Sequence, residues 1–290
     1  MTTSAARDVT VRVSHGGRPP VRRGSEPGAV VSVLFGEGLE AWRRGWSGPD
    51  SETPEREAVV VGSDISRGTA TATSTRVLPD RGLAYTVLGQ APDVDRLSEA
   101  VSDALEGFDA EPRVIVDDLA PLVVERGASA AADAVEAITT AADGRVVVGC
   151  SLTPDSVSVL PRVLEFVDGI DGVDPEVAAV VARLQREDPT TFGYTRRYWT
   201  EAQRGIESCT RNYPQSKQVH AALTGPETTP RTLGATLSGL VSLGVLETWG
   251  ETVGPTRYDL TAYDPDRLAV VGAALTAASS DGGSDRPVEE

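Results

Sequence analysis

The sequence predicts an α/β protein with a parallel sheet flanked by helices, followed by a smaller domain of helices and one hairpin. Apolar, β-branched runs recur through residues 29–152, and helical segments separate them, which is the pattern of βαβ units. After Ser216 the pattern changes to two short helices and two strands joined by a Gly-Pro turn. A chain of 290 residues is long enough for both parts.

The first 27 residues are expected to form a flexible N-terminal arm, because arginines alternate there with Gly and Pro. Within this arm, DVTVRVS (8–14) is compatible with a short edge strand. We favour a frayed terminus over a basic arm that contacts DNA.

Five buried strands are expected between residues 28 and 170, the bounds we predict for the α/β domain. Strands that are apolar on both faces are typical of parallel sheets covered by helices on both sides. The runs are AVVSVLF (29–35), AVVVGSD (58–64), LAYTVLG (83–89), RVIVDDL (113–119) and RVVVGCSL (145–152). Helices are predicted at 36–46, 94–108 and 128–142. The Thr-rich segment 65–75 fits a helix or a loop.

A second domain is expected over residues 171–275. Residues 192–213 form a helix with an aromatic inner face, and SKQVHAAL (216–223) forms a short one. The next helix has Thr229 as N-cap, Pro230 at its first position and Gly244 after its end. Its apolar stripe consists of Leu233, Leu237, Leu240 and Val241. We expect a disordered acidic tail at 276–290.

The composition is strongly acidic, with 43 acidic and 27 basic residues and a formal net charge of −16. Residues 189–268 are neutral by contrast, so a relatively basic region lies on an acidic protein. The acid excess, with Lys217 as the single lysine, resembles the proteins of salt-loving archaea. Two cysteines without a CxxC motif, and no signal peptide or membrane-spanning run, predict a cytoplasmic location.

The first domain resembles the RecA-like ATPase core, in particular archaeal relatives of the clock ATPase. EPRVIVDDLAPLV resembles a Walker B strand, RVVVGCSLTP the following sensor strand, and AVVVGSDISRG the strand after the phosphate-loop helix. The segment FGEGLEAWRRGW departs from G-x-x-x-x-G-K-[ST], since it has no Lys and no following Ser or Thr. The resemblance therefore implies a degenerate RecA-like domain that is not an enzyme, without cofactor or metal. Asp117 and Asp118 are then either a vestigial Walker B pair or, as we favour, acids that meet solvent and cap the next turn.

The second domain resembles a winged helix-turn-helix, with SKQVHAAL as the support helix, TPRTLGATLSGLVSLG as the recognition helix, and GVLETWG and TRYDLTAYD as wing strands. This resemblance implies a DNA-binding transcriptional regulator whose first domain senses a signal or sets the oligomeric state. The candidate DNA-binding residues are Arg231, Thr232, Thr236, Ser238, Arg257, Lys217 and Arg211.

The expected partners are double-stranded DNA, a second copy in a homodimer, and a protein or small-molecule effector, with no membrane. A nucleotide-binding signalling protein and a protein–protein interaction module remain alternatives. Neither Cys150 nor the histidines His15 and His220 form a recognisable nucleophile–base arrangement, which makes a hydrolase the poorest interpretation.

Overall fold

The computed structural model describes residues 8–22, 28–46, 54–62, 75–78, 82–89, 92–109, 112–142, 145–250 and 254–278. The chain divides into two compact units, Met1–Gly172 and Val173–Glu290. Unit 1 is an α/β domain in which helices flank one sheet, and unit 2 is mainly helical. The predicted segments 65–74 and 279–290 lie outside the described residues.

Unit 1 is built on an eight-stranded sheet in the order β4-β5-β3-β2-β6-β7-β1-β8. Its strands are β1 (Asp8–His15), β2 (Ala29–Leu34), β3 (Arg56–Val61), β4 (Thr75–Leu78), β5 (Leu83–Val87), β6 (Arg113–Val116), β7 (Arg145–Leu152) and β8 (Gly169–Asp171). Its helices are α1 (Leu39–Gly45), α2 (Val94–Glu106), α3 (Ala120–Ala141) and α4 (Leu160–Val163). Every strand pairing is parallel except that of β4 with β5. The expectation of an α/β fold with a mostly parallel sheet flanked by helices is confirmed.

The prediction of a flexible arm is wrong for the described part of the N-terminus, whereas the strand that the sequence allows at residues 8–14 is present, although not at the edge of the sheet. Residues 8–15 form β1, which pairs with β7 along its whole length and with β8 on its other side. Val9, Val11 and Val13 are at most 2% exposed, so the strand contributes to the core. The physical reason is the strict alternation of apolar and polar residues, which suits a strand and outweighs the surrounding Gly, Pro and Arg.

Trp42 of α1 and Trp46, directly after this helix, pack in a core cluster with the sheet; both are at most 1% exposed, and their rings meet edge to face. The side chains of Val30, Leu34 and Val59 belong to the same core cluster. Helices α2 and α3 pack against each other and against strands β2, β3 and β7. The sheet is thus a scaffold whose strand ends are held in fixed register.

Unit 2 consists of α5 (Pro175–Glu187), α6 (Pro189–Ser208), α7 (Ser216–His220), α8 (Pro230–Ser242), β9 (Glu247–Thr248), β10 (Tyr258–Asp259) and α9 (Pro265–Ala277). The two strands pair antiparallel, and a 3-10 turn at Leu260–Ala262 follows them. Helix α6 packs against α5, α7, α8 and α9. The strands are shorter than the predicted wing segments, and α9 extends past residue 275, where the acidic tail was expected to begin.

Candidate functional site

Two candidate sites correspond to the regions that the sequence predicts. The first lies in unit 1, where the carboxyl ends of β2 and β6 meet. Five neighbouring parallel strands lie in the sheet in the order β5-β3-β2-β6-β7. Numbered 1 to 5 along the chain, they have the order 3-2-1-4-5, so the winding direction reverses between β2 and β6. In open α/β sheets, ligands bind in the crevice at this point.

Asp117, directly after β6, fills this crevice with its own carboxyl group. Its Oδ1 accepts hydrogen bonds from the backbone N–H groups of Phe35 and Asp118, both at 2.7 Å. Its Oδ2 accepts those of Gly36 and Glu37, at 2.9 and 2.7 Å. The side chain is 4% exposed, so the expectation that this acid meets solvent is wrong. The loop after β2 is therefore held by hydrogen bonds to Asp117.

Burial raises the pKa of Asp117 to about 7, against the backbone N–H donors, which lower it. Each carboxyl oxygen already accepts two hydrogen bonds, so neither is left to coordinate Mg²⁺. The geometry suits a hydrogen-bond acceptor that fixes the loop after β2 rather than a metal ligand.

Asp118 links the start of α3 to β7 through hydrogen bonds. Its Oδ1 accepts hydrogen bonds from the N–H groups of Ala120, at the start of α3, and Ser151, at 3.0 and 2.8 Å. The Ser151 hydroxyl donates to its Oδ2 at 2.6 Å. Asp118 thus supports the first turn of α3, which agrees with the capping role that we favoured.

The remaining space at this crevice is small. Glu37, 6% exposed, forms ion pairs with Arg18 at 2.6 Å and Arg22 at 3.0 Å. The Arg22 guanidinium lies 3.8 Å from the centre of the Trp42 ring. The cavity beside these groups measures about 40 Å³, whereas sites for small organic ligands typically measure about 300–1,000 Å³. The described residues thus leave little free space at this crevice.

Unit 1 contains a larger cavity of about 420 Å³ beside the edge strand β4. Its walls include Ala58, Val77, Thr86, Ala104 and Phe108, which come from β3, β4, β5, α2 and the residues after α2. The hydroxyl groups of Thr86 and Thr75 lie 2.8 Å apart at its lining. This cavity has the size and mixed lining of a small-molecule site.

The second candidate site is the exposed face of α8 in unit 2. The predicted N-cap is confirmed, because the Thr229 hydroxyl accepts a hydrogen bond from Thr232 N at 3.2 Å. At the other end Gly244 has φ +72° and donates to Val241 O, while Val245 N donates to Leu240 O, both at 3.0 Å. These two bonds form a Schellman motif, which fixes the end of the helix.

The two faces of α8 separate largely as predicted. Leu233, Leu237 and Leu240 are fully buried, whereas Arg231 and Ser238 are exposed. Ser238 also donates a hydrogen bond to Gly234 O at 3.0 Å. The exposed face is therefore smooth, with one cation near its N-terminus.

Thr236 does not belong to that face, which corrects the prediction. Its side chain is 0% exposed and its hydroxyl donates to Thr232 O at 3.1 Å. Helix α8 packs on α6 along a broader face than its leucine stripe indicates. The side chain cannot reach a base edge from this position.

The remaining candidate residues occupy different surroundings. Lys217 on α7 and Arg211 before it are exposed, while Thr232 is partly buried. Arg257 is partly buried and donates from Nη1 to Tyr213 O at 3.0 Å, so it also holds the hairpin to the segment before α7. Few acidic residues occur in the segment that contains α8. Residues 208–246 contain one, Glu227, whereas the whole chain contains 43 acidic residues.

Sequence reasoning missed Glu201, the residue that positions the start of α8. It lies on α6, is 2% exposed, and its Oε1 accepts hydrogen bonds from Thr228 N at 3.2 Å and from the Thr228 hydroxyl at 2.8 Å. Glu227 N donates to the same oxygen at 3.1 Å. The available signal was an acid on the inner side of a helix among Trp199, Ala202 and Ile206, where an unpaired charge would be costly.

Cys150 and His220 lie in surroundings that favour a structural role. Burial raises the pKa of the Cys150 thiol to about 12, which disfavours the thiolate that a nucleophile needs. His220 Nε2 lies 2.7 Å from Thr228 O and so supports the same turn as Glu201. Within the described ranges, no three His, Cys, Asp or Glu side chains are grouped in a way that would hold a metal ion.

The helices of the described segments are too short or too polar to cross a bilayer.

Comparisons with known proteins give limited likenesses. Residues 22–160 match the model of a family of unknown function, DUF7504. The match runs from the end of the segment after β1 to the first residue of α4, and so concerns the α/β unit. No curated protein matches the chain.

Among solved structures, the Orc1 protein of Aeropyrum pernix, in complex with DNA, is 16% identical; the match covers 63% of this chain and 68% of that one, with a TM-score of 0.20. At so low a score the likeness carries no argument about fold or function.

Proposed function

We propose that this protein is a DNA-binding transcriptional regulator whose unit 2 is a winged helix-turn-helix domain and whose unit 1 is a non-catalytic, RecA-related sensing or oligomerisation domain. The exposed face of α8 carries the proposal. This face combines a smooth, hydrogen-bonding surface with a cation at the helix start, in the segment with the fewest acids. A helix of this kind fits the major groove, where small polar side chains approach base edges.

The arrangement around α8 supports the same function. Helix α7 precedes α8, the β9–β10 hairpin follows it, and the order helix, helix, hairpin is that of a winged helix. Lys217 and Arg211, both exposed, provide cations for phosphate contacts, and Arg257 lies in the hairpin. Phosphate contacts fix orientation, while Arg231, Thr232 and Ser238 are the candidates for base contacts.

Unit 1 supports a regulatory rather than a catalytic role in this proposal. The crevice at the reversal of the sheet is filled by Asp117 and Glu37, which leaves about 40 Å³. The cavity of about 420 Å³ beside β4 is the candidate site for a small-molecule effector. Binding there would influence DNA affinity only if the effector binds the DNA-bound and free states with different affinity.

The test is a titration of the full chain with a random-sequence duplex pool at graded salt, followed by sequencing of the retained fraction. The double variant Arg231→Ala, Lys217→Ala removes two exposed cations. We expect weaker binding and a salt slope of log K that is lower by about one for each phosphate that the variant no longer neutralises.

The matched control is Arg183→Ala, which removes an exposed cation from α5, a helix that packs on α6 and α9. This variant should bind as the wild type does. Equal affinity and equal salt slope for the double variant and the wild type would refute the proposal, as would the absence of duplex binding at low salt.

A further inference from the structure

An exposed aromatic pair in unit 2 joins Trp249 of the hairpin to Tyr213 of the segment before α7. The ring centres of Tyr213 and Trp249 lie 4.9 Å apart with an interplanar angle of 37°. Trp249 is 44% exposed and Tyr213 37%, whereas Trp42, Trp46 and Trp199 are at most 1% exposed. Placing a tryptophan in solvent forfeits the burial of a large apolar surface. This position therefore points to contact with a partner.

Hydrogen bonds hold the pair in place. Trp249 N donates to Arg257 O and Tyr258 N to Pro214 O, both at 2.9 Å. Arg257 Nη1 donates to Tyr213 O at 3.0 Å. The segment before α7 and the hairpin are thus joined on either side of the two rings. A partner that stacks on them meets a surface that is already ordered, which lowers the entropic cost of binding.

The charge around the pair favours a polyanion. Arg211 is exposed on the segment that carries Tyr213, Lys217 is exposed on α7, and residues 208–226 contain no acid. Two described acids of the hairpin, Glu247 and Asp259, face each other across the two strands, and Asp259 accepts hydrogen bonds from Thr261. The side of the pair toward α7 is therefore basic.

We infer that Tyr213 and Trp249 form a stacking platform for unpaired bases of DNA, with Arg211 and Lys217 contacting the adjacent phosphates. This inference rests on the proposed DNA-binding function and adds unpaired bases to the duplex proposed as the ligand of α8. Bases within a duplex expose only their edges, while a base outside the stack offers its flat face to an aromatic ring. Aromatic rings beside a basic surface are the general means of binding single strands.

The experiment follows the fluorescence of the full chain during titration with a thymidine oligomer and with a duplex of the same length. Stacking quenches the exposed Trp249, and the three buried tryptophans leave a constant background. We expect quenching by the single strand, and an affinity about tenfold lower in Trp249→Ala. Trp249→Phe keeps a ring for stacking and should bind within about threefold of the wild type.

The matched control is Tyr194→Ala, which removes another exposed aromatic ring, 40% exposed on α6. Its single-strand affinity should equal that of the wild type. Equal affinity of Trp249→Ala and Tyr194→Ala for the single strand would overturn the inference, and loss of self-association in Trp249→Ala alone would assign the pair to a protein interface instead.

Two further arms separate this inference from the function on which it rests. Duplex binding that depends on Arg231 while single-strand binding ignores Trp249 would refute the stacking platform and leave the regulator intact. No binding of either form of DNA would refute both. An RNA oligomer bound more tightly than its DNA counterpart would overturn the assignment to DNA.

Discussion

Glu201 on α6 binds Thr228, two residues before α8 begins, through both the backbone N–H at 3.2 Å and the hydroxyl at 2.8 Å. Asp117 in unit 1 does the same for the loop before α1, with donors at Phe35, Gly36 and Glu37. In both units a buried carboxyl group accepts the N–H groups of a loop that leads into a helix. The start of each helix is thereby fixed from the side of the core.

Replacing Glu201 should destabilise unit 2 and release the start of α8. In Glu201→Ala the N–H groups of Glu227 and Thr228 and one hydroxyl lose their acceptor, which costs about 2–4 kcal/mol in the free energy of unfolding. Urea unfolding measures the total, and hydrogen exchange measures the amides of Glu227 and Thr228. Glu201→Gln keeps Oε1 as an acceptor and should lose less.

The control for Glu201 is Glu187→Ala on α5. Glu187 is exposed and pairs with Arg183 at 3.9 Å one turn earlier, so its removal should change the free energy of unfolding by less than about 0.5 kcal/mol. If Glu201→Ala unfolds like this control and its amides remain protected, Glu201 does not hold the turn.

Replacing Asp117 should destabilise unit 1. In Asp117→Asn the side-chain NH₂ group replaces Oδ2, so the N–H groups of Gly36 and Glu37 face a donor. The expected loss is about 2–5 kcal/mol in the free energy of unfolding. Thermal and urea unfolding measure it, with Asp103→Asn, an exposed acid on α2, as the control that should remain near the wild type.

The sequence predicts the scaffold better than the sites, for physical reasons. The five apolar runs appear as β2, β3, β5, β6 and β7, because burial on both faces leaves a continuous local signal. The tie between Asp117 and the loop after β2 joins residues about 80 positions apart. No local pattern encodes that contact, and the same holds for Glu201 and Thr228. Thr236 was misplaced because a small polar residue fits either face of a helix.

The pH dependence of stability should carry a contribution from Asp117. Burial raises its pKa in the folded protein from 3.8 to about 7, so between these values the folded state binds more protons than the unfolded state. The free energy of unfolding should therefore fall as pH rises through this window and level off above it. Comparing wild type with Asp117→Asn at several pH values isolates the contribution. An advantage of the wild type that grows with pH would show that the N–H donors outweigh burial.

Gly239 on α8 should resist substitution although Ala is the better helix former. A Cβ atom at Gly239 would overlap Thr195 Oγ1 and crowd Thr191 on α6. Gly239→Ala should therefore destabilise unit 2 by about 1–3 kcal/mol.

The matched control for Gly239 is Gly193→Ala on α6, where a Cβ meets no atom within 4 Å. This substitution should stabilise the helix by up to about 1 kcal/mol, because Ala restricts the unfolded chain. Adding Thr195→Ala to Gly239→Ala removes the overlapping hydroxyl and should restore part of the stability, which a double-mutant cycle by urea unfolding measures. Additive effects of the two substitutions would exclude the close contact between α6 and α8 as the cause.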